Sequence, residues 1–194
     1  MLDNLELYLR SIREMNVEYA SFHIGVVKHP LRLIREIKTG GTNAGIALNP
    51  CTGIENLSCL LGEVDYVLLM TVEPGFLGQG FVSGVLEKIT ALRKLMEAHK
   101  VDFPIEVDGN ISLETARWCT RKGASILVAG TSSIFKTDKD SYPTSLEFKR
   151  GIATWIRRCS VALLSKDGLR RVDLQEAAEV EILLGIRSNR VHIV

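Results

Sequence analysis

A chain of 194 residues with 46% hydrophobic and 24% charged side chains can bury one sizeable core and is too short for two full domains. Its 24 Lys and Arg are interleaved with 23 Asp and Glu for a formal net charge of +1, which excludes a nucleic-acid footprint or a basic membrane-binding face. Cys51, Cys59, Cys119 and Cys159 form no CxxC pair, LDNLELYLRSIREMN has no apolar signal region, and no apolar run nears the ~20 residues of a spanning helix; these features predict a reduced, cytoplasmic protein without a membrane segment.

Leu2, Leu5, Leu9 and Ile12 recur at helical spacing behind Asp3 and Glu6, a capping pair, so the chain is expected to open with a helix. Tyr19 to Ile24 has the length of a buried strand, and Pro30 starts a helix that ends at Gly40-Gly41. Ala44 to Leu48 reads as a strand and Ile54 to Leu61 as helical. Tyr66 to Met70 is the next strand. Val82, Val85, Leu86, Ile89, Leu92 and Met96 then mark a helix. Pro104 to Val107 and Ser125 to Ala129 are the last two strands, separated by a helix that Ser112 can cap and Gly123 can end. Five strand-helix units are visible. Beyond about Ser160 the alternation stops, and Asp173 to Ile186 reads as an amphipathic packing or partner-contact helix. Residues 1–160 therefore form the domain, and 161–194 a tail expected to be helical.

Strands that are apolar throughout, alternating with helices, predict an α/β fold around a parallel sheet covered on both faces. An open doubly wound sheet and a closed barrel satisfy this pattern equally.

Three glycine stations follow the last three strands: Gly75 and Gly78 in TVEPGFLGQG, Gly109 in VDGN and Gly130 in AGTSS. Glycine lets the backbone approach a ligand and present N–H groups, and a helix starting near Thr131 would aim its positive end at an anion. Singly each is a turn residue; three at successive strand ends point to an anion site on one face. Asp108 stands at a strand end beside this loop, as a base or metal ligand or as half of a common Asp-Gly turn. His23 reads as a core histidine, His29 as a helix-entry residue, and Met70 as core packing unless a site borders it.

Taken together, AGIALNPCT (Ala44 to Thr52), YVLLMTVEPGFLGQGF (Tyr66 to Phe81), IEVDGNI (Ile105 to Ile111) and VAGTSSIF (Val128 to Phe135) resemble, in order and interval, the ribulose-phosphate 3-epimerase family. The resemblance covers about Met1 to Trp155 and implies a TIM-type (β/α)8 barrel in which strands 4 to 8 are present. By the same resemblance Asp108 matches a catalytic carboxylate that also binds a divalent metal ion. Met70 matches a residue lining the substrate site, and Gly75, Phe76, Leu77, Gly78, Gly109, Asn110, Gly130 and Thr131 match the phosphate-binding backbone. Leu77 and Asn110 replace family glycines and Gly25 a glutamate; the first two, with the GTSS loop, lean towards allulose-6-phosphate 3-epimerase relatives. In the family three earlier strands, carrying a serine, two histidines and a second aspartate, precede the position of Met1-Leu2, which resembles the end of a His-Leu-Met motif; the resemblance implies that this chain lacks them.

The implied activity is 3-epimerisation of a phosphorylated ketose (ribulose 5-phosphate to xylulose 5-phosphate, or allulose 6-phosphate to fructose 6-phosphate), a metal-assisted proton transfer at carbon 3. With Asp108 as the one matching ligand, activity is expected to be impaired. The competing reading is a non-catalytic phosphosugar-binding or assembly protein. An incomplete barrel would expose the strands at Tyr19 to Ile24 and Ser125 to Ala129, so a homo-oligomer is expected.

Overall fold

The computed structural model describes Leu9, Glu14 and residues 17–76, 78–130, 132–133, 148, 150–151, 160–165, 168–173 and 190–193. The expected opening helix lies outside these residues except for Leu9 and Glu14, both helical, with Leu9 buried. Among the described residues no helix is long and apolar enough to cross a membrane.

Five strands run parallel in chain order: β1 (Tyr19–His23), β2 (Asn43–Leu48), β3 (Tyr66–Met70), β4 (Ile105–Asp108) and β5 (Ile126–Ala129). Alternate side chains point to opposite faces of a strand. One set, including Phe22, Ile46, Leu48, Val67, Leu69, Ile105, Val107 and Leu127, forms the main core with the helices. Fully burying each such side chain stabilises the fold by roughly 1.5–3 kcal/mol. The other set faces the barrel interior: Ala47, Leu68 and Met70 cluster separately, as do Ile126 and Val128, and Ser21, His23 and Glu106 are buried among the inward positions. The strands are thus apolar on their helix-covered face and partly polar inside.

Two of the described helices carry the signal that starts or stops them. Pro30 opens α1 (Pro30–Lys38), which buries Leu33, Ile34 and Ile37. The last turn of α1 is tied to the start of β3: Lys38 Nζ lies 2.8 Å from Asp65 Oδ1, and the other Asp65 oxygen accepts the Ala44 N–H. In α2 (Val85–His99) the buried Val85, Ile89, Leu92 and Met96 follow helical spacing. Ser112 and Thr115 cap α3 (Leu113–Lys122) reciprocally, and Gly123 ends it at φ 115°. At Ile54–Leu57 the expected helix is a short 3-10 turn.

The tail departs from expectation. Ser160, the last residue of the expected domain, and residues assigned to a helical tail form β6 (Ser160–Ser165), β7 (Gly168–Asp173) and β8 (Arg190–Ile193); of the expected Asp173–Ile186 helix, Asp173 ends β7 and the rest lies outside the described residues. β6 pairs parallel to β5, β7 antiparallel to β6 and β8, and β8 parallel to β1, closing the barrel. The two edges expected to be open are therefore paired, Ile126↔Ser160 on one side and Tyr19↔Arg190 on the other. This removes the exposed-edge argument for self-association. The five parallel strands fit the expected barrel class, whereas two antiparallel pairings in the closure do not follow a (β/α)8 plan.

Two predictions follow from this packing. A chain ended at Ser165 loses β7 and β8 and unpairs one edge of β1. Light scattering should then show association that the full chain lacks, and a monodisperse monomer with cooperative unfolding would contradict the closure.

Cys119 on α3 is fully buried, and burial pushes its thiol from an ordinary 9.0 up to about 12. Between those values the unfolded chain loses the proton first. The associated stability is present below pH 9 and falls as pH rises towards 12, by at most about 1.4 kcal/mol per pH unit. Denaturation midpoints should decline less steeply over that range in Cys119→Ala than in the unaltered protein. Exposed Cys51 and Cys59 should react with a thiol reagent well before Cys119.

Candidate functional site

The ends of β3 and β4 are locked together. Met70 pairs with Asp108, and buried Thr71 donates its N–H to the Asp108 carbonyl at 2.7 Å. Its hydroxyl also reaches the carbonyls of Asp108, at 2.9 Å, and Gly109. The loop that leaves β3 returns to the same point, where Val82 N–H donates to Thr71 O at 2.8 Å. Gly109 sits inside this knot at φ 120°, where an added Cβ would meet the Val72 nitrogen at 2.9 Å and its side chain closer still. Here glycine is required both by conformation and by close approach.

The β3 loop is wound about Gln79. Its amide nitrogen donates to Phe76 O at 3.1 Å and to Glu73 O, while Asn110 Nδ2 donates to Gln79 O at 3.0 Å. Asn110 has φ 49°, a left-handed conformation that asparagine tolerates better than other non-glycine residues. An asparagine can therefore stand where the family has glycine, and its side chain also ties the two loops together. Its carbonyl accepts the Thr115 hydroxyl at 3.0 Å, linking the loop to the start of α3.

A cleft of about 420 Å³ opens between these loops and the end of β5. Of the residues singled out in the sequence, Met70, Gly75, Phe76, Gly78, Asp108, Gly109, Asn110 and Gly130 line it. Leu77 and Thr131 lie outside the described residues. His23 is buried near the end of β1 and is not among the lining residues, and His29 takes the helix-entry position of α1. Glu73, Gln79 and Ser132 also line the cleft and were not anticipated. Glu73 and Gln79 stand in the quoted TVEPGFLGQG segment, so the spacing was on view but not the roles.

The cleft lining contains two carboxylates, Asp108 and Glu73, and no Lys, Arg or His among the described residues. What it offers an anion is main-chain dipole: the N–H groups of Gly75, Phe76 and Gly78 donate to no acceptor among the described residues. Such concave sets of amides bind phosphate without a side-chain cation. A divalent ion fits less well. Among the described residues no group of three His, Cys, Asp or Glu is placed to hold one, and Asp108 with Glu73 falls short of the donor set a catalytic ion requires.

Lys88 on α2 is committed to the scaffold. Its ammonium donates to the carbonyls of Asn49 at 2.9 Å, Thr52 at 2.7 Å and Pro50, three acceptors in the turn that follows β2. Burial lowers its pKa, opposed by the charges of Cys51, Glu55 and Glu73. Lys88→Met is expected to destabilise the protein by about 1–3 kcal/mol, because partly buried carbonyls lose a charged donor. Thermal unfolding should read this as a lower Tm, and limited proteolysis as faster cutting at 49–53; unchanged values in both would show the turn holds itself.

The sequence profile of the ribulose-phosphate 3 epimerase family matches residues 1–135. The chain is similar to the ribulose-phosphate 3-epimerase of Methanocaldococcus jannaschii, 38% identical over 171 residues that cover 88% of this chain and 68% of that protein. It is 36% identical over 140 residues to the Bacillus subtilis enzyme of the same name (72% and 64% coverage) and 35% over 135 residues to that of Serratia marcescens (70% and 64%). The alignments span about two thirds of the length of these relatives. On the profile and on these identities, the chain belongs to the ribulose-phosphate 3-epimerase family.

Proposed function

We propose that the cleft binds a phosphorylated ketose, ribulose 5-phosphate in the first instance, with its phosphate on the main-chain amides of the β3, β4 and β5 loops and carbon 3 facing Asp108. The observation that carries this reading is the convergence of Gly75, Gly78, Gly109 and Gly130 with Asp108 and Met70 on one cleft. The curated relatives bear the name of that activity. The replacement of a family glycine by Asn110 and the Gly130-Thr131-Ser132-Ser133 loop keep allulose 6-phosphate as the competing substrate.

In this reading the Asp108 carboxylate removes the proton from carbon 3, which the neighbouring ketone acidifies, and an enediolate forms. Inversion requires the proton to return on the opposite face from a second group. In the family that group, the two histidines and the serine stand on earlier strands, which residues 1–194 do not match. Turnover by residues 1–194 alone is therefore low, and their phosphosugar binding persists. Losing one acid-base partner typically costs about 10²–10⁴-fold in rate.

Calorimetric titration with ribulose 5-phosphate and allulose 6-phosphate should show binding, with the tighter ligand identifying the substrate. A coupled epimerase assay at saturating divalent metal, with Asp108→Asn as the blank, should show little turnover. Fusing the N-terminal third of the Bacillus subtilis relative ahead of residue 1 should raise it. Robust turnover by the unaltered chain, abolished in Asp108→Asn, would overturn the deficiency. Binding without turnover even in the fusion would favour a non-catalytic phosphosugar-binding role. Absence of binding to either sugar would overturn the phosphosugar reading.

A further inference from the structure

Asn49 follows the last residue of β2, and nothing in the site described so far uses its side chain. Leu48 pairs with Leu69, so Asn49 stands beside Met70, which in turn pairs with Asp108, and Asp108 with Val128. Leu48 packs in the helix-covered core, whereas Ala47 clusters with Leu68 and Met70 on the inward side. The alternation therefore carries Asn49 to the inward side, level with Met70 and Asp108 and just behind the residues that line the cleft.

The main chain and side chain of Asn49 are treated differently by their surroundings. Its carbonyl accepts the Thr52 N–H at 3.0 Å and the Lys88 ammonium at 2.9 Å, so the backbone is fixed from two directions. Its side-chain oxygen is shielded from solvent and accepts no hydrogen bond among the described residues. A buried acceptor left without a donor costs stability that an apolar side chain of the same shape would not. A buried acceptor without a donor, carried on a backbone that is itself fixed, is what a ligand contact looks like before the ligand arrives.

Across the mouth the order is Asn49, Met70, Asp108, Val128, and Val128 leads to the Gly130 loop. Asn49 is thus on the far side of Asp108 from the Gly130 end of the anion-binding amides. Two strand spacings, about 10 Å, separate its strand from that of Asp108, and inward side chains shorten the gap. A phosphoketose with its phosphate on the glycine loops and carbon 3 at Asp108 would extend its hydroxyl-bearing end towards β2.

We propose that Asn49 Oδ1 accepts a hydrogen bond from a hydroxyl at the non-phosphorylated end of the bound ketose, an inference that rests on the phosphosugar reading above. Asn49 then selects for the sugar, whereas the amides select for the phosphate.

The test is Asn49→Leu, similar in shape and without polar atoms, titrated calorimetrically with ribulose 5-phosphate and with inorganic phosphate and melted alongside the unaltered protein. The expected result is roughly three- to tenfold weaker binding of the sugar phosphate, the worth of one hydrogen bond. Inorganic phosphate should bind as before, and Tm should hold or rise. A purely structural role would instead lower Tm and weaken both ligands together, which overturns the inference. Undiminished ribulose 5-phosphate binding overturns it too. If the unaltered protein binds no ribulose 5-phosphate, the phosphosugar reading has failed first and this inference falls with it; binding that is present and indifferent to Asn49→Leu sinks the inference alone.

Discussion

Because β3 and β4 run parallel with Met70 opposite Asp108, the segments leaving both strands start at the same height on the same barrel end. Thr71 makes that alignment rigid: its N–H donates to the Asp108 carbonyl, and its one hydroxyl proton is shared between the carbonyls of Asp108 and Gly109. The rest of the cleft depends on this pin. It sets where the Asp108 carboxylate stands, forces glycine at 109, and gives the β3 loop a fixed return point at Val82. Gln79 and Asn110 then need only short hydrogen bonds to stitch the two loops together. A site assembled from loops gains from such cross-ties, since each removes freedom that a ligand would otherwise have to freeze on binding.

The electrostatic plan of the cleft follows from what is spent elsewhere. Lys88 donates all three of its N–H bonds to one turn, so its charge stiffens the turn after β2. Among the described lining residues, which include the carboxylates Glu73 and Asp108, attraction for an anion falls to the backbone amides. Main-chain dipoles in a fixed loop need no counter-charge and cost no side-chain entropy when a phosphate binds, although they attract it over a shorter range than a full charge does.

How far the sequence shows this depends on the kind of signal. The five strands and the helices of the βα part were legible because apolar runs of strand length alternate with helical spacing, and because Pro30, Ser112 and Gly123 punctuate them. The glycine loops could be found because three of them follow successive strands. The inward polar residues were not: Ser21 and Glu106 sit within apolar runs, and one polar residue in a short strand leaves the periodicity unchanged. Asn49 was quoted inside a motif without a role, since a buried acceptor lacking a donor is a property of three-dimensional surroundings. The tail was misread for a more specific reason. Asp173 to Ile186 has a helical pattern, and it drew attention from SVALLS and GLRRVD, two strand-prone runs separated by Lys166-Asp167 ahead of Gly168, a recognisable hairpin signal.

Alternation along each strand also separates the two duties of this fold. The outward residues of β3 and β4, Val67, Leu69, Ile105 and Val107, pack with the helices and carry stability. Their inward neighbours Met70 and Asp108 face the barrel mouth, where a polar or charged group costs burial energy and repays it only through a ligand. Substitution on the outward face therefore acts through folding, and substitution at the inward mouth positions acts through binding, with the two separated by a single residue along the chain. β8 fits the same division, since its parallel pairing with β1 covers an edge without contributing to the cleft's described lining. A barrel wall can be completed by strands of either direction because closure asks only for backbone partners. The mouth is less forgiving, because it asks for particular side chains at particular heights.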